Sequence, residues 1–313
     1  MLIMKSNDSL ALLAKKRRRK TFLMTIVFSL LATLFLFGLC FKLLSNMTAK
    51  NGQKVYNDYQ QLAEIAYPNI SYDSLYYYPS GQFTGKVHAD RYKDIDGVPV
   101  FYSPYEANYS LLGHYGAGAG DAFSVNNLLY DRGSRQKVPQ FYNTNVKFTK
   151  HEVKTKPSQD LEKVSQMSNQ LIEVAITFDK PYSYKEIKSL MPKNLKQNWL
   201  WIGTNSTLDS SQWSTSYQFG TAPENLPRLI ENMKVVSKSG ASVTINDVDI
   251  YDDLKTYIKE SKSSQHSNDL KFSGIILTGK AENFQALNQE KWVYASSIGT
   301  AIPNQPYYQL DVE

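Results

Sequence analysis

The first 66 residues change their pattern of polar and apolar positions twice. Residues 1–20 are mixed and polar and end in the cationic block Lys15–Lys20. Residues Thr21–Phe41 carry no charge at all. Residues 45–66 are polar again, with Val55, Tyr59, Leu62 and Ala66 at helical spacing until Pro68 ends the pattern. As a helix rising about 1.5 Å per residue, the uncharged run is roughly 31 Å long, the thickness of a bilayer core. A signal peptide has a shorter apolar stretch and a small-residue cleavage site, and Leu39-Cys40-Phe41-Lys42 has no such site. The pattern therefore predicts an uncleaved transmembrane helix over residues 21–44, behind a basic tail at 1–20. The cations of that tail outweigh Lys42, Lys50 and Lys54 on the other flank. The positive-inside bias places the tail in the cytoplasm and residues 45–313 outside the membrane.

The external part divides in two. Residues 45–153, led by the amphipathic helix, are tyrosine-rich and broken by Gly, Pro and Asn. Candidate strands are Ser74–Tyr78, Gln82–Tyr92, Val98–Tyr102 and Val146–Val153, with Asp94-Ile-Asp-Gly97 as a hairpin turn. The glycine-rich stretch from His114 to Gly120 reads as a flexible loop. Residues 154–169 are polar without a sheet pattern, a linker or a short surface helix.

Residues 170–313 are better patterned. Strands are expected at Leu171–Phe178, Trp199–Thr204, Phe272–Thr278 and Trp292–Ile302. Helices are expected at Ser183–Met191, Pro223–Lys238, Val248–Ser261 (with Asp247 as N-cap) and Glu282–Gln289. Two stretches echo each other as strand, turn, short helix, strand. One ends in Trp199, Trp201, Gly203 and Thr204, the other in Trp292, Gly299 and Thr300. The expected fold class is α+β: a transmembrane helix, then an extracytoplasmic mixed sheet with helices. Its C-terminal part is built from repeated β-α-β units with a ferredoxin-like tendency.

Charge changes the picture once it is placed. Eight of the 35 Lys and Arg precede residue 45, opposed there by Asp8 alone among 29 acidic residues. The remainder is close to neutral, which disfavours nucleic acid as a partner of the external part. One cysteine, Cys40, excludes a disulfide framework and a cysteine-built zinc site. A cysteine-free domain of this size fits a Gram-positive surface. His88, His114, His151 and His266 form no ligand or catalytic spacing. Ser134-Arg-Gln-Lys137 matches S-x-x-K, but it follows a turn signal and lacks the companion motifs of a serine acyltransferase. The glycines at 113–120 lack a P-loop ending, and Asp247, Asp249, Asp252 and Asp253 lack the Gly and terminal Glu of a calcium loop. No catalytic residue, cofactor or metal is expected, and the chain reads as a non-enzyme.

Two candidate contact surfaces remain. In the basic tail, Leu10, Leu13, Lys16, Arg17 and Arg18 could form a short docking helix. The basic block serves as a topology signal, or as a surface for membrane lipid or an acidic protein. Outside, Tyr76, Tyr77 and Tyr78 lead a tyrosine cluster. Tyrosine is favoured both in strand packing and in contact faces, here for an envelope ligand such as a glycan or peptide.

Three stretches carry a resemblance. The anchor preceded by AKKRRRKT resembles the start of the sigma factor regulator N-terminal domain. VAITFDKPYSYKEIKSLMPKNLKQNWLWIGT, with FSGIILTGKAENFQAL and VYASSIGTAI later, resembles the C-terminal domain of the same family. Together they cover roughly residues 12–105 and 160–303. The family consists of membrane-bound anti-sigma factors of Firmicutes and their relatives. The resemblance implies a binding protein that holds an extracytoplasmic-function sigma factor at the membrane and responds to envelope conditions. Only about twenty residues precede the span, and a standard interface takes 20–30 residues a side. The expected partner is therefore the sigma factor itself, or a partner anti-sigma membrane protein on which this chain acts as an auxiliary subunit. The reading from another class is an envelope-assembly or surface-binding protein with no transcriptional role.

Overall fold

A computed structural model describes residues 2–117, 122–146, 156–239 and 242–305; side chains are described from residue 12 onward, except at 114–117. Helix α1 runs unbroken from Leu2 to Ala63. No proline occurs before Pro68, so nothing interrupts its backbone ladder. Within and beside the apolar run, Thr21, Thr25, Thr33 and Thr48 donate their hydroxyls to the carbonyl one turn back, at 2.9–3.0 Å. This satisfies polar groups that would be costly in hydrocarbon. Residues 12–43 of the helix are exposed, and among the described residues this one helix is long and apolar enough to cross a membrane. From Leu44 onward one face is covered, with Thr48, Gly52, Val55 and Tyr59 buried.

After α1, Tyr67 and Asn69 adopt positive φ and turn the chain into an antiparallel meander. Its strands are β1 (Ser71–Gly81), β2 (Thr84–Ile95), β3 (Val98–Ser110) and β4 (Gly113–Ala117). The hairpin turn expected at 94–97 joins β2 to β3, with Asp96 and Gly97 both at positive φ. Part of the expected glycine loop is strand instead: Gly113–Ala117 pairs with β3. Residues 118–120 lie outside the described residues, as do His151 and most of the strand expected at Val146–Val153. A small sheet follows, of β5 (Ala122–Val125), β6 (Leu128–Asp131) and β7 (Lys137–Val138).

Residues 160–166, within the stretch 154–169, form a 3-10 helix whose Leu161 and Val164 are buried. It lies on the C-terminal sheet: Leu161 N donates to Ser296 Oγ at 3.1 Å, and Ile298 N to Asp160 Oδ2 at 3.1 Å.

The C-terminal elements are β8 (Gln170–Ser183), α2 (Tyr184–Leu190), β9 (Lys196–Trp201), β10 (Gly220–Thr221), α3 (Leu229–Lys238), β11 (Thr244–Ile245), β12 (Val248–Asp249), α4 (Asp252–Glu260), β13 (Lys271–Lys280) and β14 (Val293–Pro303). α2 starts at a full capping box, with Ser183 and Glu186 exchanging hydrogen bonds. Three expected helices are corrected. The one expected at Pro223–Lys238 opens as a 3-10 helix over Pro223–Arg228, with Pro227 inside it, and α3 begins only at Leu229. Asp247 does not cap α4; Asn246 and Asp247 both take positive φ and form the tight β11–β12 turn, so the helix begins only at Asp252. The helix near Glu282–Gln289 is a 3-10 helix over Ala281–Leu287.

Among the described residues the large C-terminal sheet has the order β10-β9-β13-β8-β14, antiparallel throughout. β8 and β9, joined through α2, flank β13. β13 and β14, joined through the 3-10 helix, flank β8. Each echoed unit thus contributes one strand to the interior of the other. One face packs Ile172, Val174, Ile176 and Phe178 into the core with residues of α2, α3 and α4. The other face carries Ala175, Trp199, Trp201 and Ile276 under Phe141, whose ring stacks on Trp201 at 4.8 Å.

Candidate functional site

The residues singled out in the sequence sit at opposite ends of α1. Leu13, Lys16, Arg17 and Arg18 are exposed on its N-terminal part, and the side chain of Leu10 lies outside the described residues. Helical spacing puts Leu13, Lys16 and Arg17 on one face; Arg18 is turned about 100° from Arg17.

Tyr76, Tyr77 and Tyr78 do not form one surface, because strand geometry alternates their directions. Tyr77 turns toward α1, edge-on to Tyr56 at 6.1 Å and to Tyr109 at 6.2 Å. Tyr76 and Tyr78 face away from the helix, 5.9 Å apart, with His88 5.3 Å from the Tyr76 ring. His88 bridges Asp90 at 3.1 Å and Glu106 at 3.3 Å. Hydrogen bonds from His88 and then Ser74 hold the Asp90 carboxyl below its usual range. The expected three-tyrosine surface is thus divided: Tyr76 and Tyr78 share the outer face with His88, and Tyr77 does not.

The inner face holds what sequence reasoning missed. β2 buries every second residue, so Val87, Ala89, Arg91, Lys93 and Ile95 all point inward. Arg91 lies over the rings of Tyr67 and Tyr102, at 5.6 and 5.1 Å, and donates from Nε to Ser103 O at 2.7 Å. Tyr59 of α1 stacks on Tyr105 at 4.0 Å and touches Tyr67 and Tyr72. Burial, with the Asp58 carboxylate adding to it, pushes the Tyr105 phenol up to about 12. Burial raises Tyr59 further still. Both are therefore neutral packing groups at physiological pH. Tyr109 lies across Gly52 of α1 and Gly85 of β2; a Cβ at Gly85 would sit 2.1 Å from its ring. Helix and sheet meet closely because neither has a side chain there.

Lys93 reaches farther, to the C-terminal sheet. Its Nζ donates to Glu173 Oε2 at 2.6 Å, and both side chains are almost fully buried, at 2% and 0% exposure. Glu173 also accepts from Asn69 Nδ2 at 2.8 Å and from Thr300 N at 3.2 Å. The β2–β3 turn is seated beside this pair. Asn198 Nδ2 donates to Asp94 O at 3.0 Å, Lys196 Nζ to Asp94 Oδ2 at 2.9 Å, and Asp96 N to Thr278 Oγ1 at 3.0 Å. Gly299 makes room for Glu173: a Cβ there would sit 2.5 Å from both Oε2 and the Pro139 ring. The Gly-Thr pair of the second echo is therefore part of the junction. Buried charges are tolerated only when paired and hydrogen-bonded, and this pair is both. The arrangement can transmit position between the helix-bound meander and the C-terminal sheet.

Ser134 and Lys137 are engaged by different carboxylates. Ser134 Oγ donates to Asp131 at 2.7 Å and Lys137 Nζ to Asp160 at 2.6 Å. A cleft of ≈ 190 Å³ lies at the end of β9, lined by Asn143, Trp201, Thr204, Asp253, Tyr257 and Lys271 among others. Burial raises the Asp253 carboxyl above its ordinary value, although Thr204 and Asn205 N–H donate to it.

Among families of known proteins, one described as Sigma factor regulator N-terminal matches residues 12–100, and one described as Sigma factor regulator C-terminal matches residues 161–300. No curated protein and no solved structure matches the chain.

Proposed function

Because the chain belongs to the sigma factor regulator family, its two halves together matching both regulator domains, we propose that it is a single-pass membrane regulator of an extracytoplasmic-function sigma factor. The observation that carries this reading is α1. One unbroken helix joins the basic segment, the uncharged run and the tyrosine-lined packing face. Residues 21–44 span the bilayer, Leu13, Lys16, Arg17 and Arg18 face the cytoplasm, and the α+β body lies outside. Without a hinge, any displacement of the body is passed to the cytoplasmic face. The Lys93–Glu173 junction ties the C-terminal sheet to that movement. The interleaved order of β9, β13, β8 and β14 fits a ferredoxin-like plan, a frame that carries binding surfaces on many chains. The chain acts by binding, not by catalysis, and directly on the sigma factor or through a second membrane anti-sigma protein.

Transcription from the sigma factor's own promoter tests the reading. Removing the protein should raise it, and full-length protein with Lys16, Arg17 and Arg18 all changed to Glu should fail to restore repression. Unchanged transcription on removal would overturn the proposal and favour an envelope-binding role for the Tyr76–Tyr78–His88 face.

A further inference from the structure

The uncharged run ends at Phe41, and the meander reaches back to it. The Phe41 ring lies 5.7 Å from that of Phe83, at the tip of the β1–β2 hairpin. Leu111 N donates to Phe83 O at 3.0 Å, so the β3–β4 tip lies beside the first. Asn51 pins that second tip, donating from Nδ2 to Ser110 O at 2.8 Å and to Leu111 O at 3.2 Å. Asn51 stands ten residues past Phe41, about 15 Å along the helix. The Phe83 tip therefore stands level with the end of the uncharged run, at the start of a headgroup zone roughly 5–8 Å deep, and the β3–β4 tip is bonded both to Phe83 on that side and to Asn51 farther out. Three large apolar side chains stand uncovered near this band, beside exposed polar ones such as Asn46 and Gln82. Leu112 is 91% exposed, Leu43 63% and Met47 53%. Lys42 stands exposed among them, a cation able to reach phosphates.

We infer that the paired hairpin tips, led by Leu112 and seated on Phe41 through Phe83, enter the headgroup zone of the outer leaflet and form a second membrane contact beside the transmembrane helix. The occupant is the lipid surface itself, because the Phe83 tip rests on Phe41, the last residue of the uncharged run, and the exposed Leu112 stands on the tip bonded to it. This inference rests on α1 crossing the bilayer. It adds that the meander is held against the membrane at two points, and that the body meets the outer leaflet directly. Changes in lipid packing then act on the same sheet that grips α1.

Cys40 is the only cysteine, so Cys40→Ser with Leu112→Cys gives one attachment point for an environment-sensitive fluorophore. The exposed Leu112 side chain carries no fold contacts that the label would break. The labelled full chain is reconstituted in phosphatidylcholine–phosphatidylglycerol vesicles containing lipid with a spin label near the headgroup. Phe28→Cys marks the middle of the span, and Val125→Cys, exposed on β5, marks the external body. The Leu112 probe should be blue-shifted and quenched several-fold more than the Val125 probe. If the Leu112 and Val125 probes behave alike while a deep spin label quenches the Phe28 probe, the span stands and the tip contact is overturned. If the Phe28 probe is unquenched as well, both readings fall.

Discussion

β8 of the C-terminal sheet buries residues 171–178 without interruption, whereas β2 of the meander buries only alternate residues. A run buried on both sides needs cover on both faces, and here the helices supply one and the Phe141 segment the other. An alternating strand needs only one covered face, and α1 and its tyrosines supply it. The inward positions of β2 nevertheless hold Arg91 and Lys93 alongside Val87 and Ala89. The C-terminal sheet is thus held chiefly by hydrophobic burial. The meander is held by rings and by buried cations, Arg91 against tyrosine rings and a backbone carbonyl and Lys93 against Glu173. Two sheets of one chain can carry similar burial on different chemistry, and only one of them shows it in its hydrophobic pattern.

The sharpest way to break this contrast is to remove the charge that crosses it. Lys93→Ala should destabilise the full chain in detergent by about 3–5 kcal/mol in urea unfolding, because Glu173 is left buried and unpaired. Replacing both, with Lys93→Met and Glu173→Leu, should recover most of that loss. If the double variant unfolds no later than the single one, the pair holds more than the charge balance.

Gly299→Ala should cost ~1–3 kcal/mol by pressing on Glu173 and Pro139. All four tryptophans, at 199, 201, 213 and 292, lie in the C-terminal part, so their emission follows this loss.

Acid should separate the regions further. Burial pushes the Asp160 carboxyl up, but hydrogen bonds from Lys137, Lys163 and Ser158 more than offset it and hold the group well below its ordinary value. A depressed folded value means that Asp160 stabilises fully above the unfolded carboxylate range. Its contribution fades as pH falls below about 4. Asp160→Asn should flatten that part of the stability–pH curve in unfolding measured by tryptophan emission, and an unaltered curve would remove Asp160 from the account.

Smaller effects sharpen the picture. Ser183→Ala should cost about 1 kcal/mol through the α2 cap. Tyr76→Ala, on the outer face of the meander, should stay within ~0.5 kcal/mol in the same assay. A larger Tyr76 effect would mean that this face is packed, not offered.

Much of the frame was legible along the chain. The uncharged run, the hairpin at Asp96-Gly97, the helix after Ser183 and the strands around 171–178 and 272–278 all follow from local spacing. Positions 246–247 misled because Asn-Asp suits both a helix cap and a tight turn, and pairing between β11 and β12 decided for the turn. The candidate site was less legible. Tyr76–Tyr78 were visible as a cluster, but their division between two faces needed the register of β1 on β2. Lys93 carried no signal, since a lysine in an alternating strand reads as solvent-facing until its partner is known.

The sequence by itself determined most of the regular elements of the C-terminal sheet, where a bilayer could be crossed and which family the chain resembles, because those depend on the spacing of neighbours. The tertiary structure decided which strands interleave, which tyrosines look outward and that Lys93 meets Glu173 across 80 positions. Such choices depend on what lies opposite each residue, and residues far apart along the chain become opposite only when the sheets close.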